Sequence, residues 1–193
     1  GAASPMHHIQ KYFLDATEFF FHYHDYQKEM RVLAEAMMPL YDKALKIIAE
    51  SPAQAVNWGG NYDEMITYPP YFEKELLPWI QKASAAMEAK GKLVFCHCDG
   101  ENQGLLDLIR DSGMHVAESV CPYPMTKVKI EDYYRHWSDR LTIMGGVPSN
   151  MLLPSSAGEE EFLAYLDNLF RGIAPGKRFI LGGADTTPRD ADF

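Results

Sequence analysis

The sequence predicts an α/β fold of the parallel (β/α) TIM-barrel type, in partial form, with about five βα units. Short continuous apolar runs alternate with amphipathic segments, the pattern of buried parallel strands separated by covering helices. Gly91, Gly113, Gly176 and the Ala174-Pro175 pair stop the helical segments that precede strands, as helix breakers at C-termini do. Strands begin near residues 55, 93, 115, 141 and 178. Each unit therefore takes roughly 30 residues, against the ~250 that a complete eight-unit barrel needs. An open doubly wound sheet of five strands fits the same length and stays as the rival.

In chain order, residues 10–50 read as helical. The first part is aromatic-rich (Phe13, Phe19, Phe20, Phe21, Tyr23, Tyr26), and an amphipathic run through Met30, Leu33, Met37, Leu40 and Ile47 follows. A strand is expected over 55–59, a helix over 71–90 and a strand over 93–98. A helix over 102–111 leads to a strand over 115–120, and a short helix over 131–137 leads to a strand over 141–146. A helix over 159–173, opened by Glu159-Glu160-Glu161, precedes the strand over 178–182. Negative charge there complements the helix dipole. Residues 1–193 read as one domain.

Composition narrows the function classes. With 47% hydrophobic and 23% charged residues, the chain has enough apolar material for a real core. Eighteen basic residues against 27 acidic ones give a formal charge of -9, and no Lys/Arg cluster interrupts it. A nucleic-acid partner or an anionic membrane surface is therefore not expected. Three cysteines at irregular spacing suit a reducing, cytoplasmic setting better than a disulfide framework. No apolar run reaches the ~18–20 residues of a membrane helix.

The chemistry concentrates where the strand over 93–98 ends in His97-Cys98-Asp99-Gly100. Strand side chains alternate, so His97 and Asp99 share one face and Cys96 and Cys98 the other. An imidazole beside a carboxylate suits acid–base catalysis or metal ligation; a structural hydrogen bond is the plain alternative. Cys121, just past the next strand, would add a thiolate, making His97, Asp99 and Cys121 a tentative zinc set with an open position. Its alternative is a small buried hydrophobe. Asn61 and Asp63 lie past the first strand, as substrate-positioning groups or as turn and cap residues. Asp185 follows the last strand as a catalytic candidate or a turn residue. Gly146 and Gly183 would let a ligand approach the backbone. Glu118, inside an apolar strand, needs a partner if buried. His7, His8, His22 and His24 have no ligand spacing.

Several segments together resemble the C-terminal part of the uroporphyrinogen decarboxylase superfamily, which includes cobalamin-dependent methyltransferases. They are Ser4-Pro5-Met6 with the aromatic helix, Asn57-Trp58-Gly59-Gly60-Asn61-Tyr62-Asp63 and Tyr68-Pro69-Pro70-Tyr71-Phe72 with Pro78. His97-Cys98-Asp99-Gly100, Asp139-Arg140-Leu141 with Gly145-Gly146, and Ala174-Pro175-Gly176 through Phe179-Ile180-Leu181-Gly182-Gly183 follow in the same order. The resemblance implies a (β/α)8 barrel whose first three strands and last helix lie outside this chain.

It also implies methyl transfer or a related group transfer on a small molecule. Zinc would be the metal, and a corrinoid, on a partner protein or free, the methyl donor or acceptor. Tetrapyrrole decarboxylation is the enzymatic alternative, and a non-catalytic corrinoid- or partner-binding module is the other. The departures are specific. Where the zinc methyltransferases carry two cysteines, this chain has Asp99 and Ala184, so His97 alone survives of that set. Where the decarboxylases end the last strand in Gly-His, it reads Gly183-Ala184. A partial barrel would leave strand edges unpaired, so a homo-oligomer or a longer polypeptide is expected.

Overall fold

The computed structural model describes residues 1–191, and the elements below are those of these residues. Five parallel strands form one sheet in sequential order: β1 Ala55–Gly60, β2 Leu93–His97, β3 Val116–Val120, β4 Thr142–Val147 and β5 Phe179–Gly183. A doubly wound sheet reverses its strand order at a switch point. No reversal occurs here, so the described residues have the connectivity of a β/α-barrel wall. The rival architecture is thereby set aside.

The helices are α1 Pro5–His8, α2 Ala16–Asp25, α3 Gln27–Glu50, α4 Pro69–Tyr71, α5 Leu77–Glu88, α6 Leu106–Arg110, α7 Ile130–Trp137 and α8 Glu159–Gly172. The expected helix over 10–50 is divided. Leu14 is extended, and the Asp15 side chain caps α2 by accepting from the Glu18 N–H at 2.9 Å. Tyr26 leaves helical geometry and separates α2 from α3. The helix expected over 71–90 starts earlier, on Pro69 and Pro70, where missing N–H groups cost nothing. It widens into a π-helical turn at Phe72–Leu76 before α5. Glu161 reaches back to the Gly158 N–H at 3.1 Å to open α8.

Register sorts side chains between two faces. Cys96 lies beside Ala117, Ala117 beside Ile143, and Ile143 beside Phe179. This face packs against helices: Ile80, Ala83 and Met87 of α5, Ile109 of α6, and Tyr133 and Trp137 of α7 are all fully buried. Burying each large side chain stabilises by about 1.5–3 kcal/mol. Trp137 Nε1–H donates to Leu106 O at 2.9 Å, and Trp58 Nε1–H to Ala3 O at 3.1 Å, so both indoles enter the core paired.

The inner face is different. Phe95 and Val116 are half-buried there, and Leu93, Met144 and Ile180 are exposed. His97 and Glu118 lie side by side on this face, at the C-terminal end of the sheet. Among the described residues, no helix is long and apolar enough to cross a membrane.

Candidate active site

Two backbone irregularities bring the functional side chains together. At the end of β1, Gly60 has φ +146°, and a Cβ on it would lie 2.6 Å from His97 Cβ. Only glycine lets β1 pass this close to the histidine. In β3 the register with β4 shifts between Ala117 and Val120, and Ser119 sits at φ 60°. A bulge of this kind re-aims neighbouring side chains. A non-glycine residue at positive φ is strained, as functional strand ends often are.

His97 is bracketed by two carboxylates. Its Nδ1 lies 2.5 Å from Glu118 Oε2, and its Nε2 lies 3.3 Å from Asp99 Oδ2. Ser119 Oγ–H donates to the other Glu118 oxygen at 2.6 Å, and the Cys98 N–H donates to Glu118 O at 2.7 Å. Asp99 receives long contacts of 3.4 and 3.5 Å from Asn61 Nδ2, and Asn61 Oδ1 accepts from Lys11 Nζ at 2.9 Å. The three central side chains are about a quarter exposed (30% for His97, 23% for Asp99, 26% for Glu118), so a small molecule can reach them.

The donor and acceptor inventory fixes what this arrangement does. An ionised carboxylate only accepts, so the short contact with Glu118 assigns a proton to Nδ1. The Nε2–Asp99 edge is then satisfied only when one more proton lies between nitrogen and oxygen. It is also the looser of the two contacts, longer than the ~2.7–3.2 Å of an ordinary hydrogen bond, which leaves room for an incoming group.

The surrounding loops are tied by carboxylates. Asp63 accepts from the Met65 N–H at 2.7 Å and the Glu101 N–H at 3.2 Å. Each of its oxygens thus accepts from a backbone N–H, as a turn residue's does. Glu64 accepts from the Gly104 N–H at 2.5 Å and from Lys127 Nζ at 3.1 Å, and Glu101 accepts from the Lys127 N–H at 2.7 Å. The loops after β1, β2 and β3 are thus fixed to one another around the histidine.

The other expected site residues take varied places. Cys121 is 1% exposed, and burial, aided by the charges of Asp185 and Asp99, pushes its thiol up to about 11. Asp185 is exposed and caps its own turn through the Thr186 N–H at 2.6 Å. Gly146 does not open toward a ligand: a Cβ there would meet the Phe179 ring at 2.7 Å, so its small size serves packing. Gly183 is exposed, and a Cβ there would meet nothing nearer than Asp185 O at 3.7 Å. Cys96 and Cys98 are fully buried on the helix face, as alternation requires.

A three-ligand zinc does not fit these residues. A structural or catalytic zinc takes at least three protein ligands, and around His97 Nε2 only Asp99 Oδ2, 3.3 Å away, is placed beside it among the described residues. The third expected ligand, Cys121, is a buried thiol disfavoured as thiolate. Among the described residues, no three His, Cys, Asp or Glu side chains are placed to hold a metal ion. The expected His97–Asp99–Cys121 set is thus not assembled around one point among the described residues.

Two members of this network, Ser119 and Lys11, carry no signal in the sequence. Glu118 was seen to need a partner, and strand register supplies it. Lys11 arrives from the π-helical turn Ile9–Phe13, far along the chain from Asn61, and no local pattern marks it.

No protein-family model matches the chain. A 67-residue stretch is 37% identical to the glutamate--tRNA ligases of two Dehalococcoides mccartyi strains, BAV1 and CBDB1, covering 32% of this chain and 13% of theirs. The chain spans a small part of those curated relatives, and the likeness shows no family. Among solved structures the chain is similar to a methyltransferase from Methanosarcina mazei, with a TM-score of 0.63 and 15% identity over 89% of this chain and 49% of that one. The two share a fold, and this chain spans about half of the neighbour's length.

Proposed function

We propose that this chain carries the proton-handling site of a methyltransferase-like enzyme that acts on a small molecule. The observation that carries the reading is His97 held between Glu118 and Asp99 at the C-terminal end of a parallel sheet. Reacting groups meet at that end in β/α barrels. The shared fold with a methyltransferase supports the class of reaction.

Methyl transfer to a thiol or hydroxyl needs a base for the nucleophile's proton. His97 Nε2 is that base. Glu118 holds the ring and its tautomer through Nδ1, and Asp99 stabilises the imidazolium as it forms, much as a buried carboxylate does in a hydrolase triad. Asn61 and Lys11 hold Asp99 in place. The resemblance in sequence supplies the donor class, a corrinoid. Tetrapyrrole decarboxylation is the weaker reading, because this strand end presents carboxylates where a polyacid would need cations.

Thiol-dependent demethylation of methylcobalamin tests the proposal. Wild-type protein should turn over, and His97→Ala should lose ~10²–10⁴-fold, the usual worth of a general base. Folded wild-type protein without turnover, or a fully active His97→Ala, overturns it.

A further inference from the structure

Acidic residues outnumber basic ones by 27 to 18 in this chain, yet one cleft is lined by three cations and no carboxylate. It lies among α1, α2, α3 and the π-helical turn Phe72–Leu76, measures about 490 Å³, and shares no lining residue with the His97 site. Lys28, Arg31 and Lys74 line it. They come from two distant segments, so no basic run in the sequence announces them. Glu75, 5% exposed, accepts from the two terminal nitrogens of Arg31 at 3.1 and 2.7 Å and from the Tyr23 hydroxyl at 2.8 Å. One buried carboxylate thereby fixes the guanidinium at the cleft wall. A guanidinium carries five N–H donors, so the Nε edge of Arg31 stays available, on a side chain that is 39% exposed. Lys74 lies 3.7 Å from Glu75 and 5.6 Å from the centre of the Tyr23 ring. Asp25, Glu29, Glu35 and Glu73 lie within four residues of these cations. None of the four lines the cleft, and none pairs with Lys28, Arg31 or Lys74 among the described residues.

Three cations against the Glu75 carboxylate leave a local charge of about +2, which complements the roughly -1.5 to -2 of a phosphate monoester near pH 7. A monocarboxylate would neutralise only half of it. The remaining wall includes Met6 and Val32, the latter 66% exposed, so an organic substituent has apolar surface to lie on. The volume falls in the ~300–1,000 Å³ range of small-molecule sites. We propose that this cleft binds a small organic phosphate monoester. Its phosphate oxygens accept from the Arg31 Nε–H and from the Lys28 and Lys74 ammonium groups, and its carbon body rests against Met6 and Val32. Arginine suits phosphate because its fork matches two oxygens at once. The site is additional to the methyl-transfer reading and does not depend on it.

Three probes of graded chemistry test it on the whole chain: phenyl phosphate, inorganic phosphate and benzoate. Binding is read from NMR shifts of the Arg31 Nε–H and of the backbone amides of Lys28 and Lys74, a readout that needs no turnover. Phenyl phosphate should bind about tenfold more tightly than benzoate, which lacks the second charge. It should also bind about threefold or more tightly than inorganic phosphate, which has no carbon body to bury. Lys28→Gln and Lys74→Gln, both at exposed positions that leave the Arg31–Glu75 pair intact, should each weaken phenyl phosphate by about three- to fivefold. Lys46→Gln, an exposed cation outside the cleft, should leave the affinity unchanged. Added salt should weaken binding, because the charges are partly exposed. Shifts confined to residues outside the cleft, benzoate binding as tightly as phenyl phosphate, or wild-type affinity in both cleft variants overturns the proposal. Inorganic phosphate binding as tightly as phenyl phosphate removes the organic ester and overturns it as well.

Discussion

The two faces of β2 carry equally reactive side chains to opposite fates. On the helix face, burial pushes the Cys96 thiol up to about 12 and the Cys98 thiol well above its usual range. Cys96 Sγ–H donates to Trp58 O at 2.7 Å, and both cysteines are sealed in the core. One residue along, His97 turns to the inner face, keeps 30% exposure, and finds two carboxylates. A nucleophile without water or a cation is inert; an imidazole with water and counter-charges handles protons. Strand alternation alone sets these two environments apart.

The largest expected effect breaks this comparison in one experiment. His97→Ala should lower methyl transfer by ~10²–10⁴-fold, while Cys98→Ala, on the opposite face, should change the rate by no more than about twofold once folding is matched. Equal losses would mean that the two faces are not functionally distinct. A second pair applies the same contrast to stability on β4. Ile143 is fully buried and Met144 is 39% exposed. Urea denaturation should show a loss of about 2–5 kcal/mol for Ile143→Ala and under about 1 kcal/mol for Met144→Ala.

His7 and His97 extend the comparison to one side-chain type. His7 is 3% exposed, accepts from the Ala3 N–H at 3.1 Å, and is lowered to about 3 by burial, with Lys11, the chain's amino terminus and His8 adding to it. In the unfolded chain it titrates near the ordinary ~6.5. Below that pH the unfolded state takes up a proton that the folded state refuses. The His7 contribution to stability is therefore full above about 6.5 and declines by about 1.4 kcal/mol per pH unit as pH falls toward ~3. Denaturation at several pH values should show a steeper acid decline in wild type than in His7→Gln; parallel curves would contradict the burial argument. The smallest effect is expected for Asn61→Ala. It removes the long contacts to Asp99 and the Lys11 hydrogen bond, so kcat/KM should fall by about two- to fivefold, and Ala at this positive φ should cost about 1 kcal/mol of stability.

How much of this was legible in the sequence differs between elements. The five strands lie within a residue or two of their expected positions, because continuous apolar runs bounded by glycine are strong local signals. The pairing of His97 and Asp99 on one face followed from alternation alone. The break at Leu14 and Asp15 was not read, because the aromatic residues on either side keep a helical pattern across it. The Gly60 close approach and the Ser119 bulge depend on register between strands that are distant in sequence. So does the meeting of Glu118 with His97, and no window of the chain contains both. At Gly146 a small residue at a strand end reads alike whether it makes room for a ligand or for the Phe179 ring, which a Cβ there would meet.

The most direct measurement is long-range proton–nitrogen NMR on protein with isotope-labelled histidine, comparing wild type with Glu118→Gln. His97 should carry its proton on Nδ1 in the wild type, with that resonance shifted in the variant and no change on adding one equivalent of zinc. An unprotonated Nδ1, or a His97 signal that moves stoichiometrically with zinc and stops moving in Cys121→Ala, would contradict the carboxylate-bracketed base and restore a metal centre.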